Sequence, residues 1–241
     1  MPPVLQVRNP FVAGLALGRP GVTPALCVLY RTPGAAMRDP VNYRVELLRR
    51  WPVATTPFAI AEDIHELALQ EVLHEQLEGV VVTALGLGVA ALRALLAWPQ
   101  DFRAVPAWLA GERAKPEGLG WSVPPRDMIS ALQLVMDERV TIPDVQLAGE
   151  LIAQLEALEV RETASGRETY QVEAGAGDDL LTAFGLAVWW SEVAAPSVVE
   201  WAPDPKFSAF SLEARMSEYE KRRVRNRQPP GHVKGPMPES I

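Results

Sequence analysis

The pattern of this 241-residue chain predicts an α/β fold: a mixed sheet, part antiparallel three-strand meander and part parallel strands, with helices on both faces. Three observations predict it. The first fifty residues hold three apolar stretches separated by turns, which suits a meander. A helix, a short apolar burst, a second helix and another strand then alternate, and that alternation marks parallel strands joined by crossovers. The rest is mostly helical in period and closes on a strongly apolar helix.

Phe11–Gly18 and Ala25–Tyr30 read as strands joined around Arg19-Pro20-Gly21, and Tyr43–Trp51 as a third strand with one solvated face. Thr56-Pro57 opens a helix to about Leu77, with a capping hydroxyl, a first-turn proline and apolar Ile60, Ile64, Leu67 and Val72. Val80–Val82 is a strand buried on both faces. Gly86-Leu87-Gly88 breaks the chain before a helix over Val89–Trp98 and a strand over Phe102–Leu109. A loop containing Gly111, Gly118 and Gly120 leads to a helix over Pro124–Asp137 and a brief extended piece at Val140–Ile142. Asp144 is read as the cap of a helix to about Leu158. Val160–Thr163 and Glu168–Glu173 flank a four-residue hairpin loop, and Asp178–Val193 is the final helix.

Composition narrows the class. Apolar residues make up 48% and charged residues 22%, which is ordinary for a globular chain. Cys27 is alone, so no intrachain disulfide can form, and a cytoplasmic setting is expected. No stretch approaches the roughly 20 apolar residues of a membrane span, so no membrane partner is expected. The net charge of −7 is unevenly spread. Residues 1–214 hold 16 basic and 27 acidic side chains, a net of −11, and residues 215–241 hold 7 and 3, a net of +4. The expected organisation is one domain over residues 1–195 and a Pro-rich, basic, partly disordered tail over 196–241.

Four segments, in order, resemble the nuclease domain of phage terminase large subunits. They are Gly14-Leu15-Ala16-Leu17-Gly18 with the strand after it; Leu48-Arg49-Arg50-Trp51-Pro52 with Thr56-Pro57-Phe58; Val81-Val82-Thr83-Ala84-Leu85-Gly86-Leu87-Gly88; and Gly177-Asp178-Asp179-Leu180-Leu181-Thr182-Ala183. The resemblance spans roughly residues 11–195 and implies a ribonuclease H-like fold. It also implies two Mg²⁺ or Mn²⁺ ions about 3.5–4 Å apart, held by carboxylates from the first strand, the end of the buried strand and the last helix. At those positions stand Ala16, Thr83 and the pair Asp178-Asp179. A methyl group cannot bind a metal, and a threonine hydroxyl brings no charge. Gly177 replaces the usual histidine, and Pro125 stands where relatives tend to have lysine. The resemblance thus implies a metal site that is degenerate, with no cofactor expected, or at most weak Mg²⁺ or Mn²⁺ binding at Asp178 and Asp179. Restoring Ala16→Asp and Thr83→Asp together is expected to recover metal binding.

Two readings of Asp178 and Asp179 stay open: residual metal ligands, or a helix cap and first-turn acid stabilised by the helix dipole. Glu62, Asp63 and Asp127 are the acids nearest to re-forming a site, although solvated helix surface explains them more simply. His65 and His74 lie nine apart and match no ligand spacing, and His232 falls in the tail. Cys27 reads as an inert core thiol and Trp189-Trp190 as core packing. Arg222, Arg223, Arg225 and Arg227 are candidate phosphate contacts, unless the tail is merely solvated. No Gly-x-x-x-x-Gly-Lys-Ser/Thr loop occurs, so the packaging motor is not expected in this chain. The function expected is a nuclease-like phage or prophage protein acting in DNA binding or packaging-complex assembly. Its expected partners are double-stranded DNA and packaging proteins: a motor ATPase, a portal, a small terminase. Two alternatives stand beside it, an active Mg/Mn-dependent endonuclease with rearranged acids and a purely structural interaction protein.

Overall fold

In the computed structural model, the described residues are 4–18, 22–99, 101–162, 168–172, 177–195 and 198–202. All belong to one compact unit, Met1–Ser208, and residues 209–241 lie outside them. The strands are β1 (Val4–Val7), β2 (Phe11–Ala16), β3 (Ala25–Thr32), β4 (Asn42–Arg50), β5 (Leu77–Thr83), β6 (Arg103–Trp108), β7 (Lys115–Glu117), β8 (Gly120–Ser122), β9 (Val140–Thr141), β10 (Leu158–Glu162), β11 (Glu168–Val172) and β12 (Val199–Ala202). The helices are α1 (Pro57–Ala68), α2 (Leu87–Ala97), α3 (Pro125–Met136), α4 (Ala148–Glu156) and α5 (Asp179–Trp189). A π-turn over Trp190–Ala194 extends α5.

Eight strands form the main sheet in the order β7-β8-β6-β5-β2-β3-β4-β9. The expected meander is β2–β3–β4, antiparallel throughout, while β2–β5, β5–β6 and β6–β8 pair in parallel. Alternation decides which face each side chain covers. Val12, Ala16, Ala25, Cys27, Leu29 and Val81 turn toward α3, α4 and α5 and share one core with Phe184, Ala187 and Trp189. The intervening Ala13, Leu15, Leu26, Val28, Val80 and Val82, also buried, face the side where Ile60, Ile64 and Leu67 of α1 and Ala91 and Leu95 of α2 pack. No helix among the described residues is long and apolar enough to cross a membrane.

Helix α5 lies close on the sheet because Gly14 has no side chain. A Cβ there would sit 1.9 Å from the Ala183 carbonyl oxygen, inside any permitted contact. The two tryptophans at the end of the helix are fully buried, Trp189 edge-on to Trp121 at 5.6 Å and Trp190 under the Arg103 guanidinium at 5.2 Å.

Several elements depart from the sequence reading, and among them β1 was not anticipated at all. Helix α1 stops at Ala68 rather than near Leu77, and turns closed by bonds such as Leu73 N–H to Gln70 O and Gln76 N–H to Leu73 O carry the chain back. Nine further helical residues would move the chain about 13 Å away, whereas Leu77 must reach Phe11 to start β5. The glycine-bearing loop after β6 folds instead into the hairpin β7–β8. Helix α4 begins at Ala148, not at Asp144, because Leu147 adopts a left-handed conformation (φ 68°) just before it. In the stretch expected as tail, Val199–Ala202 forms β12, antiparallel to β1. The hairpin loop 163–167 lies outside the described residues.

Candidate functional site

The sheet register assembles the site. Arg50 pairs with Ala25, Ala25 with Ala16, and β5 runs parallel beside β2 with Leu15 opposite Val82. Arg50, Ala16 and Thr83 therefore end three strands along one edge, and the amino end of α5 comes down over them with Asp179. The register sets Ala16 and Thr83 at the ends of the neighbouring strands β2 and β5, and Arg50, two strands from Ala16, is the residue that reaches Asp179.

Asp179 is buried, 6% exposed, yet it is ionised and fully engaged. Arg50 Nε donates to its Oδ2 (2.5 Å) and Arg50 Nη2 to its Oδ1 (2.9 Å), a two-point ion pair. Gln154 Nε2 donates to Oδ1 at 2.7 Å, while the Leu181 N–H donates to Gln154 Oε1 at 2.9 Å and fixes that amide. Burial works against the charged form of Asp179. The bonds from Arg50 and Gln154, the Arg50 charge and the backbone N–H of Asp179 itself outweigh it, holding the carboxyl below the usual carboxylate range.

Thr83 has a different task. Its hydroxyl accepts from the Leu17 N–H (2.7 Å) and donates to the Leu17 carbonyl (2.9 Å), stitching β5 to the strand beside it just where the ladder ends. Gly88 permits the helix behind to close on this point, since a Cβ there would lie 1.7 Å from the Thr83 carbonyl oxygen. Gly177 has φ +71°, a left-handed conformation that a histidine at this position would hold only with strain. Asp178 takes the N-cap place of α5, exposed, without a side-chain cap hydrogen bond.

The other candidates lie elsewhere. Asp63 accepts from Trp51 Nε1 (2.9 Å), and Asp127 accepts from the Ala114 N–H (2.7 Å) at the first turn of α3. Glu62 is exposed on α1. Pro125 opens α3 as its first residue. His65 lies against Trp98 with ring centroids 5.3 Å apart and planes tilted by 43°, and His74 lies 3.6 Å from Asp101. Cys27 is fully buried in β3. Among the described residues no three His, Cys, Asp or Glu side chains converge as a metal site would require. Arg222, Arg223, Arg225, Arg227 and His232 lie outside the described residues.

Arg50 is the site residue that sequence reasoning missed. It was visible inside Leu48-Arg49-Arg50-Trp51-Pro52. A buried carboxylate without metal partners requires a cation, but no reading of the sequence placed Asp179 in the interior, so nothing there called for Arg50 beside it.

No protein-family model matches the chain, and no curated protein matches it in sequence. Solved structures do match in shape. The large terminase nuclease from thermophilic phage G20c is 17% identical with a TM-score of 0.50, the match covering 79% of this chain and 82% of that one. The same phage nuclease with bound magnesium also matches, at 18% identity and a TM-score of 0.50 over 77% of this chain and 80% of that one. The nuclease domain of the large terminase subunit gp2 of bacterial virus Sf6 is 10% identical with a TM-score of 0.53, covering 76% of this chain and 89% of that one. The mixed eight-stranded sheet with its covering helices is thus the ribonuclease H-like fold of phage large-terminase nuclease domains.

Proposed function

We propose that this chain is a terminase-type nuclease domain that does not cut DNA and that serves a phage or prophage packaging complex by binding DNA or by assembly. One observation carries the reading: the edge that would hold divalent ions carries a methyl at Ala16, a hydroxyl committed to Leu17 at Thr83, and a carboxylate at Asp179 already neutralised by Arg50. A pair of hard cations needs several anionic oxygens. The residues present do not fit one. In the G20c nuclease, which binds magnesium, the same fold accommodates the ion, so the fold by itself is no obstacle. The obstacle is the set of side chains.

DNA is the partner this reading favours, with packaging proteins such as a motor ATPase, a portal or a small terminase as assembly partners. The basic run Lys221-Arg222-Arg223-Val224-Arg225-Asn226-Arg227 supports DNA contact through phosphates. Supercoiled plasmid incubated with the full chain and millimolar Mn²⁺ is expected to stay intact. Metal-dependent nicking that Asp179→Ala abolishes would overturn the reading in favour of an active endonuclease. Binding of a labelled duplex is expected to weaken steeply with salt and to fall on truncation after Ala202; retention of full binding without those residues would transfer the DNA contact to the folded domain.

A further inference from the structure

We propose that Arg50 is a built-in replacement for the metal at this edge, a protein cation that balances Asp179 and excludes divalent ions from it. The proposal rests on the non-cutting reading above and extends it from a loss of ligands to a gain of a substitute.

The geometry supports a substitute rather than a chance contact. Arg50 ends β4 and Asp179 opens α5, 129 residues apart, and the register Arg50–Ala25–Ala16 aims the guanidinium along the sheet edge toward the amino end of the helix. Both ends of its fork are used, Nε on one carboxylate oxygen and Nη2 on the other. Gln154 supplies a third donor and is itself fixed by the Leu181 N–H. Every oxygen of Asp179 thus accepts from the protein, and the buried charge is matched by one charge of opposite sign. A guanidinium stays protonated at any physiological pH and spans a carboxylate in a planar, bidentate way. A divalent ion would have to approach within about 2.1 Å of those oxygens, which requires Arg50 to withdraw and leaves its charge close to the ion. Carboxylates supplied at 16 and 83 do not remove this obstacle, so the pair of restorations expected to suffice from the sequence is predicted to fall short.

The test compares the full chain, Ala16→Asp/Thr83→Asp, and the same pair with Arg50→Gln. Bound Mn²⁺ is measured by loss of the free-ion resonance signal, and Tm with and without millimolar Mn²⁺. Both restored variants lose the Thr83 hydroxyl bonds alike, so the difference between them isolates Arg50. The triple variant is expected to bind Mn²⁺ at least tenfold tighter than the double and to gain roughly 5 °C in Tm with the ion. Equal binding by the two, or no binding by either, overturns the proposal and leaves the non-cutting reading standing. Mn²⁺ binding by the unaltered chain overturns both. A second measurement needs no restored site: Arg50→Gln and Asp179→Asn, singly and together, with Tm as readout. The double change is expected to cost clearly less than the two single losses combined, and additive losses would show that the two side chains are not partners.

Discussion

Asp179 fixes how the site responds to acid. Its folded pKa lies below the unfolded value of about 3.9, so its contribution to stability is complete above that value and fades as pH falls through the folded one. The Tm gap between the unaltered chain and Asp179→Asn is expected to be constant near neutrality and to narrow only below about pH 4. A gap unchanged on acidification would mean the carboxyl is not ionised in the fold. Cys27 makes the opposite point. Burial pushes its thiol up, so no thiolate forms near neutral pH. Thiol reagents are expected to leave it unmodified until the chain unfolds, and rapid labelling of the native protein would contradict the packing of β3. The buried, inert thiol was readable from its apolar neighbours in sequence. The Arg50–Asp179 pair was not, because it depends on a register that brings together residues 129 apart.

Among the elements, α5 is the one on which the most depends. Ten of its residues are buried, and it touches β2 where Gly14 leaves room for the Ala183 carbonyl. Gly14→Ala is expected to destabilise by about 1–3 kcal/mol through overpacking, a Tm drop of several degrees. A neutral result would place the helix farther from the sheet. Its apolar run and the acids at its amino end made this helix plain in the sequence. Helix α1 was plain only in its first three turns, since apolar spacing continues past Ala68 while the chain must reverse to start β5. The hairpin β7–β8 escaped notice for a related reason. Lys115, Pro116 and Glu117 show no alternation, and their strand exists because β8 offers it a partner.

For the whole molecule, strand order and helix order were legible because apolar period survives in nearly every element. Pairing partners far apart in the chain were not. Strand β12 shows the difference: Val199-Glu200-Trp201 alternates as a strand does, but the segment is short, and its partner Val4–Val7 lies near the other end of the described chain. Truncation after Ala195 is expected to strip hydrogen-exchange protection from the β1 amides that truncation after Ala202 preserves; equal protection would mean β1 holds without β12. Ala16 and Thr83 were singled out by the resemblance to terminase nuclease domains, and their places at the ends of β2 and β5, like the task of the Thr83 hydroxyl, came from the structure.

The Thr83 clamp attaches a folding cost to any acid placed at position 83. A carboxylate at 83 accepts but cannot donate, so it would face the Leu17 carbonyl with like polarity and forfeit the bond that the hydroxyl gives. Any lone change toward an acid there is a step downhill in folding with nothing returned in catalysis, because Arg50 still holds Asp179. On the non-cutting reading proposed above, a cutting site lies several simultaneous side-chain changes away from this chain, not one.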